Sequence, residues 1–199
     1  MALGAVKIRR HLAPGSGSLQ SAMLFNRESS PGFIMNDINI TSELFRRACG
    51  LWTTGVAIVT TADPAGNPFG LTMNAVTSLS LEPPMFIVCV DNDSDTLAPM
   101  TASRVFCVNV LTREQQDLSN RFAKKGSEKF AGLGHSRGVT GAPVLDGTLV
   151  SIECRVTAIV AGGDHQIMCG EAQCISVTDN AEAEPLLYFG GRYANLAKA

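Results

Sequence analysis

The chain has 199 residues, 45% of them hydrophobic, with 16 basic against 18 acidic side chains and a formal net charge of −2. That length predicts one domain able to bury a sizeable core, and that balance excludes a basic nucleic-acid-binding surface or a charge-rich disordered chain. The longest uninterrupted apolar run, residues 85–90, is far too short to cross a bilayer as a helix, so neither nucleic acid nor membrane is an expected partner.

Residues 1–40 read as a flexible tail and residues 41–199 as the domain. The first 27 residues carry Lys7, Arg9, Arg10 and Arg27 but no acid, a bias also found in transit peptides. The Pro-Gly-Ser-Gly-Ser run at residues 14–18 favours a linker. Thr41 or Ser42 caps a helix with an apolar face of Leu44, Phe45, Ala48 and Leu51. The β-branched residues 56–61 predict a strand, and the turn residues at 63–68 reverse the chain into another that starts near Gly70.

Residues 85–90 are apolar throughout and predict a strand buried on both faces, and residues 105–111 are similar. Residues 149–159 alternate, with Ile152, Cys154, Val156 and Ala158 on one face and Ser151, Glu153, Arg155 and Thr157 on the other. A turn at residues 162–165 leads into the antiparallel partner over 166–177, and residues 186–189 make a last short strand. Helices are expected over 95–103 and 113–124, the second turning Gln115, Leu118 and Phe122 inward. Hairpins outnumber βαβ units, so the expected fold is mainly β with peripheral helices, an antiparallel barrel.

Six cysteines (Cys49, Cys89, Cys107, Cys154, Cys169, Cys174) lack C-x-x-C spacing and sit mostly among Val, Ile and Phe. They read as reduced, mainly buried residues of a cytoplasmic protein. The glycines at 132, 134 and 138 miss dinucleotide-fingerprint spacing, and no strand leads into them. The acidic run at 91–96 lacks the glycine and the closing glutamate of a calcium loop. The three histidines lie far apart, so no metal site is expected.

The informative stretch is residues 70–84. Thr72, Asn74, Thr77, Ser78 and Ser80 place small hydroxyl and amide groups in a strand otherwise suited to a core. Such residues let a flat ring lie close to the backbone and supply donors to its polar edge. By themselves they fit equally well an edge strand with a solvated polar face.

Thr53-Thr54-Gly55-Val56, Gly66, Gly70-Leu71-Thr72 and Ser78-Leu79-Ser80-Leu81-Glu82-Pro83-Pro84 resemble the flavin reductase family with its FMN-binding split barrel. The likeness continues through Phe106-Cys107-Val108-Asn109-Val110-Leu111, Phe122-Ala123, Gly141-Ala142-Pro143-Val144-Leu145, Gly163-Asp164-His165 and Tyr193. It runs from about residue 42 to 196. The resemblance implies that Thr53, Thr54, Gly55, Thr72, Met73, Asn74 and Ala75 line the ring of FMN or FAD, and that Ser78 and Ser80 approach its ribityl chain or phosphate. Arg121 and Lys124 would hold the phosphate, although as residues they fit a solvated helix face as well. His165 would border the nicotinamide of NADH or NADPH, and Tyr193 would stack on the dinucleotide; as residues alone, the first also fits an exposed turn and the second ordinary packing.

The implied activity is hydride transfer from reduced nicotinamide to flavin. No residue of the chain is required as a general acid or base, so none is named as catalytic. The expected partners are a flavin-dependent monooxygenase, reached through diffusing reduced flavin, and a second copy of the chain in a homodimer. The competing reading is a module on the same fold that binds FMN without reducing it.

Overall fold

The computed structural model describes residues 39–126 and 128–197; the tail expected over residues 1–40 lies outside them but for its last two residues. The first helix, α1 (Ser42–Gly50), is capped by Thr41, whose side chain accepts from the Leu44 N–H at 3.1 Å. None of its residues is buried, so the expected apolar face is largely open in the single chain.

The strands are β1 (Thr54–Gly55), β2 (Ala57–Ala62), β3 (Pro68–Met73), β4 (Val76–Leu81), β5 (Pro84–Asp91), β6 (Val105–Val110), β7 (His135–Arg137), β8 (Pro143–Leu145), β9 (Val150–Gly162), β10 (His165–Val177), β11 (Leu187–Phe189) and β12 (Arg192–Ala194). Two further helices, α2 (Leu97–Ser103) and α3 (Gln116–Phe122), stand outside the sheets. The main sheet has seven strands in the order β3-β2-β6-β9-β10-β5-β4, every pairing antiparallel. Its two edges, β3 and β4, are consecutive in the chain. A flat sheet of seven strands would hold its edges about 29 Å apart. Three chain steps from Met73 to Val76 span at most about 11 Å. The sheet must therefore roll up, which gives the expected barrel.

Inside the roll, Val59, Val88, Val90, Phe106, Val108, Cys154 and Met168 form the main core. On the opposite face of β2, Ile58, with Val56 just before the strand, packs against Leu111, Phe122, Leu145 and Leu186. Asn109 is fully buried and ties four segments together. Its Nδ2 donates to Ile58 O (3.1 Å) and Thr60 Oγ1 (3.0 Å), and its Oδ1 accepts from Leu145 N (2.9 Å) and Ser151 Oγ (3.0 Å).

Several expectations are corrected. The run from Gly70 is two strands, because the chain turns from one sheet edge to the other at Asn74 and Ala75. Residues 85–90 are not buried on both faces: Val88 and Val90 are buried, whereas Ile87 and Cys89 are half-buried. Ala158, expected on the apolar face of β9, is exposed, because a register shift against β10 after Val156 reverses the alternation. The polar side of β9 is not wholly solvated. Ser151 bonds Asn109, and Glu153 Oε2 accepts from Thr140 N and Oγ1, both at 2.8 Å, so each is buried with its polar atoms partnered. Residues 113–115 form a 3₁₀ turn, closed by a capping box between Thr112 and Gln115, before α3 begins. All six cysteines are free; Cys107 and Cys154 are buried, Cys49 is exposed and the others are half-buried. Burial, with the Glu153 charge, pushes the Cys107 thiol up strongly and that of Cys154 to about 12, leaving both unreactive.

Candidate functional site

A cavity of about 440 Å³ opens where α1 hands the chain to the barrel, lined by residues 52–57 with Asn74, Val76, Thr77 and Val110. The short strand β1 forms one wall. It is held by β11 in the register Thr54 with Tyr188 and Gly55 with Leu187, and beyond it Val56 N donates to Leu186 O at 3.0 Å. No charged side chain lines the cavity. The Thr54 hydroxyl is buried and has no hydrogen-bond partner among the described residues. A buried hydroxyl without a partner is costly, so this one marks a place where a ligand acceptor belongs.

The cavity brings together four of the expected flavin residues: Thr53, Thr54, Gly55 and Asn74. Met73 is buried and packs into the main core, and Ala75 is exposed at the corner between β3 and β4. Ser78 is exposed and Ser80 half-buried on the edge strand β4, on either side of a bulge; neither lines this cavity.

Thr72 and Lys124 meet in a second, smaller cavity of about 150 Å³. Thr72 faces α3 and its hydroxyl donates to Ser119 O at 2.6 Å. Lys125 and Lys129 share this wall with Asp91, Asp93 and Asp95 opposite. Lys129 is buried; its Nζ donates to Gly70 O at 3.0 Å and lies 3.4 Å from Asp95 Oδ1. Asp95 Oδ2 also accepts from Gly126 N at 3.1 Å. Partial burial alone would raise the Asp95 carboxyl, but the Gly126 N–H and the Lys129 charge outweigh it and hold the group below its ordinary value. Arg121 is turned elsewhere: its guanidinium donates to the carbonyls of Glu128 and Ala131.

His165 opens β10 and pairs in register with Asp91, which places it beside the second cavity. Its Nδ1 lies 2.7 Å from Asp164 Oδ1, an interaction that holds the Asp164 carboxyl below its ordinary value. The turn is fixed to the acidic segment by Asn92 N donating to Asp164 O (2.9 Å) and Gln166 Nε2 donating to Asn92 Oδ1 (3.0 Å). Tyr193 is half-buried against α3. Its hydroxyl donates to Asn120 Oδ1 (3.0 Å) and lies 2.9 Å from Ser119 Oγ, and its ring meets Tyr188 edge to face at 5.6 Å.

Trp52, Lys125 and Lys129 were not legible as site residues. Trp52 was signalled only by being the single tryptophan beside Thr53. Lys129 lies in an ordinary polar stretch, and only the packed loop reveals its burial.

The family model described as "Flavin reductase like domain" matches residues 49–197. Over 152 residues the chain is 38% identical to the reductase subunit HsaB of a flavin-dependent monooxygenase from Rhodococcus jostii, covering 76% of each protein. The crystal structure of nitrilotriacetate monooxygenase component B from Mycobacterium thermoresistibile superposes with a TM-score of 0.75 at 36% identity, over 78% of this chain and 86% of that one. The NADH:FAD oxidoreductase SgcE6 of Streptomyces globisporus, solved in complex with NAD and FAD fragments, gives a TM-score of 0.73 at 33% identity, over 78% and 92%.

Proposed function

We propose, from the premise that this chain belongs to the flavin reductase family, that it is an NAD(P)H:flavin oxidoreductase supplying reduced flavin to a separate monooxygenase. The observation that carries the assignment is the buried, partnerless Thr54 hydroxyl in a neutral cavity. That wall suits a ring whose polar edge carries acceptors. Bound FMN or FAD supplies the electrophile that accepts a hydride from NADH or NADPH.

The chain itself binds and orients. Thr53 and Thr54 offer hydroxyls, Gly55 leaves the wall of β1 without a side chain, and Asn74 adds an amide at the barrel corner. Lys124 and Lys125 supply positive charge in the second cavity, suited to a phosphate, while the buried Lys129 positions their loop through Gly70 and Asp95. His165 stands beside this cavity on a turn braced by Asn92 and borders the nicotinamide in this reading. Neutral hydrogen bonds contribute only about 0.5–1.5 kcal/mol each. The neutral ring site therefore adds only modest affinity, which suits a flavin that leaves after reduction.

A homodimer is part of the proposal. The outer face of β5, β10 and β9 carries Ile87, Cys89, Ile167, Cys169, Ala158 and Val160, all half-buried or exposed in the single chain. An apolar patch of this kind on a sheet face suits a second copy. The cytoplasm is the proposed compartment, in keeping with six free cysteines. Among the described residues no helix is long and apolar enough to cross a membrane.

The deciding experiment is stopped-flow mixing of NADH, and separately NADPH, with protein carrying FMN or FAD. Rapid flavin bleaching, loss of flavin on dialysis and recovery of activity on adding it back are expected. Bound flavin that neither donor reduces would leave only the flavin-holding module.

A further inference from the structure

One wall of the second cavity is the end of α3, from Phe122 to Lys125. A helix of seven residues is marginal by itself, so contacts from outside it decide where its last turn sits. Two strands supply such contacts, and both act at Ser119.

From β3, the Thr72 hydroxyl donates to Ser119 O at 2.6 Å. The same carbonyl accepts the Ala123 N–H that closes the helix, at 3.0 Å. Thr72 thereby commits its single hydroxyl proton inside the fold and fixes the turn that leads directly into Lys124 and Lys125. From β12, Tyr193 reaches the same turn. Its hydroxyl donates its one proton to Asn120 Oδ1 at 3.0 Å, so Ser119 Oγ, 2.9 Å away, donates to the phenol oxygen. Ser119 is fully buried, which makes that oxygen the partner its hydroxyl requires. Tyr193 is braced in turn. It pairs in register with Tyr188 and meets that ring edge to face, and Tyr188 pairs in register with Thr54 of the 440 Å³ cavity. A continuous set of contacts therefore runs from the ring wall at Thr54 to the wall that carries Lys124.

We infer that Tyr193 is a positioning residue for the flavin phosphate: its hydroxyl holds Ser119 and Asn120, and so sets the last turn of α3 that presents Lys124 and Lys125. Its phenol is engaged with the helix and with Tyr188, which replaces the expected stacking on a dinucleotide. The inference rests on the phosphate site proposed in the second cavity. Its consequence is that the Tyr193 hydroxyl contributes to the binding of a phosphorylated flavin and not to that of the ring itself.

The test compares FMN with riboflavin, which has the same ring and ribityl chain without the phosphate. Flavin fluorescence gives Kd for both. Tyr193→Phe removes one oxygen and keeps the ring against Tyr188. The FMN Kd should rise about three- to tenfold, while that of riboflavin moves by less than about twofold. In a Lys124→Met/Lys125→Met background the same substitution should leave FMN affinity unchanged, because the charges it positions are gone. A tyrosine that serves only the fold would weaken both flavins alike and add the same loss in both backgrounds, and either result refutes the inference. An FMN Kd that Tyr193→Phe does not move refutes it as well. If the wild type binds FMN and riboflavin equally, the phosphate wall is wrong and the role of Tyr193 falls with it. Bleaching of riboflavin by NADH would then still uphold the reductase function, so the two failures are told apart.

Discussion

Replacing Thr54 by valine should move stability and flavin affinity in opposite directions. The substitution keeps the branched shape and removes one hydroxyl, which is buried and has no partner in the protein. Leaving a hydroxyl unsatisfied costs about 1–3 kcal/mol. Thr54→Val should therefore raise the melting temperature of flavin-free protein by roughly 2–4 °C for each 1 kcal/mol recovered in a chain of this size. The same hydroxyl is the one offered to the flavin, so its loss should weaken binding by about 0.5–1.5 kcal/mol. That corresponds to about two- to thirteen-fold in Kd. Calorimetry on stripped protein and fluorescence quenching of FMN and FAD measure the two effects, with Thr54→Ser as the control that retains the hydroxyl. A melting temperature that falls by several degrees, together with unchanged flavin affinity, would show that the hydroxyl serves the fold and not the ligand.

His165→Ala should raise the KM for the nicotinamide substrate or lower kcat while the flavin Kd stays unchanged; kinetics identical to wild type would place His165 outside the site. Asp95→Asn leaves the buried Lys129 ammonium facing Gly70 O without its counter-charge, so the melting temperature at pH 7 should drop. Because the folded Asp95 carboxyl is held below its unfolded value, its stabilisation is present above about pH 4 and is lost as pH falls through the lower folded value. Wild type and Asp95→Asn should therefore converge on acidification, and a constant gap in melting temperature would contradict the ion pair. Gly170→Ala would place a methyl 2.6 Å from two Phe106 ring carbons and 2.8 Å from Cys154 Cβ, both fully buried. Such overpacking should destabilise by about 1–3 kcal/mol, and a variant that melts like wild type would show that Phe106 has room to move. Sedimentation at micromolar concentration should show a dimer, and a monomer would remove the apolar face of β5, β9 and β10 from the proposed assembly.

The strands were legible where one physical signal dominated. The β-branched run in β2 and the apolar runs in β5 and β6 marked strands without ambiguity, and the Gly-Gly-Asp run marked the reversal from β9 to β10. Of the short pieces, β11 was expected, but others were not legible. β1, β7 and β12 have two or three residues each, too few to show any period, and exist because a partner strand pairs with them. The alternation of β9 separated its two faces as far as Val156, but it could not show that a register shift would turn Ala158 outward, or that Asn109 and Thr140 would cover the polar face.

The order of residues along the chain determined which segments become strands and which small polar residues are available to a flat ligand, since both follow from local side-chain chemistry. It also brought Thr53, Thr54 and Gly55 together, because they are neighbours. Only the rolled sheet decided that Asn74 joins them, that Thr72 faces α3 instead, and that Lys129 is buried. The reason is the closure itself. Asn74 and Ala75 must join the two edges of a seven-stranded sheet, so the chain bends there and divides one polar run between two cavities.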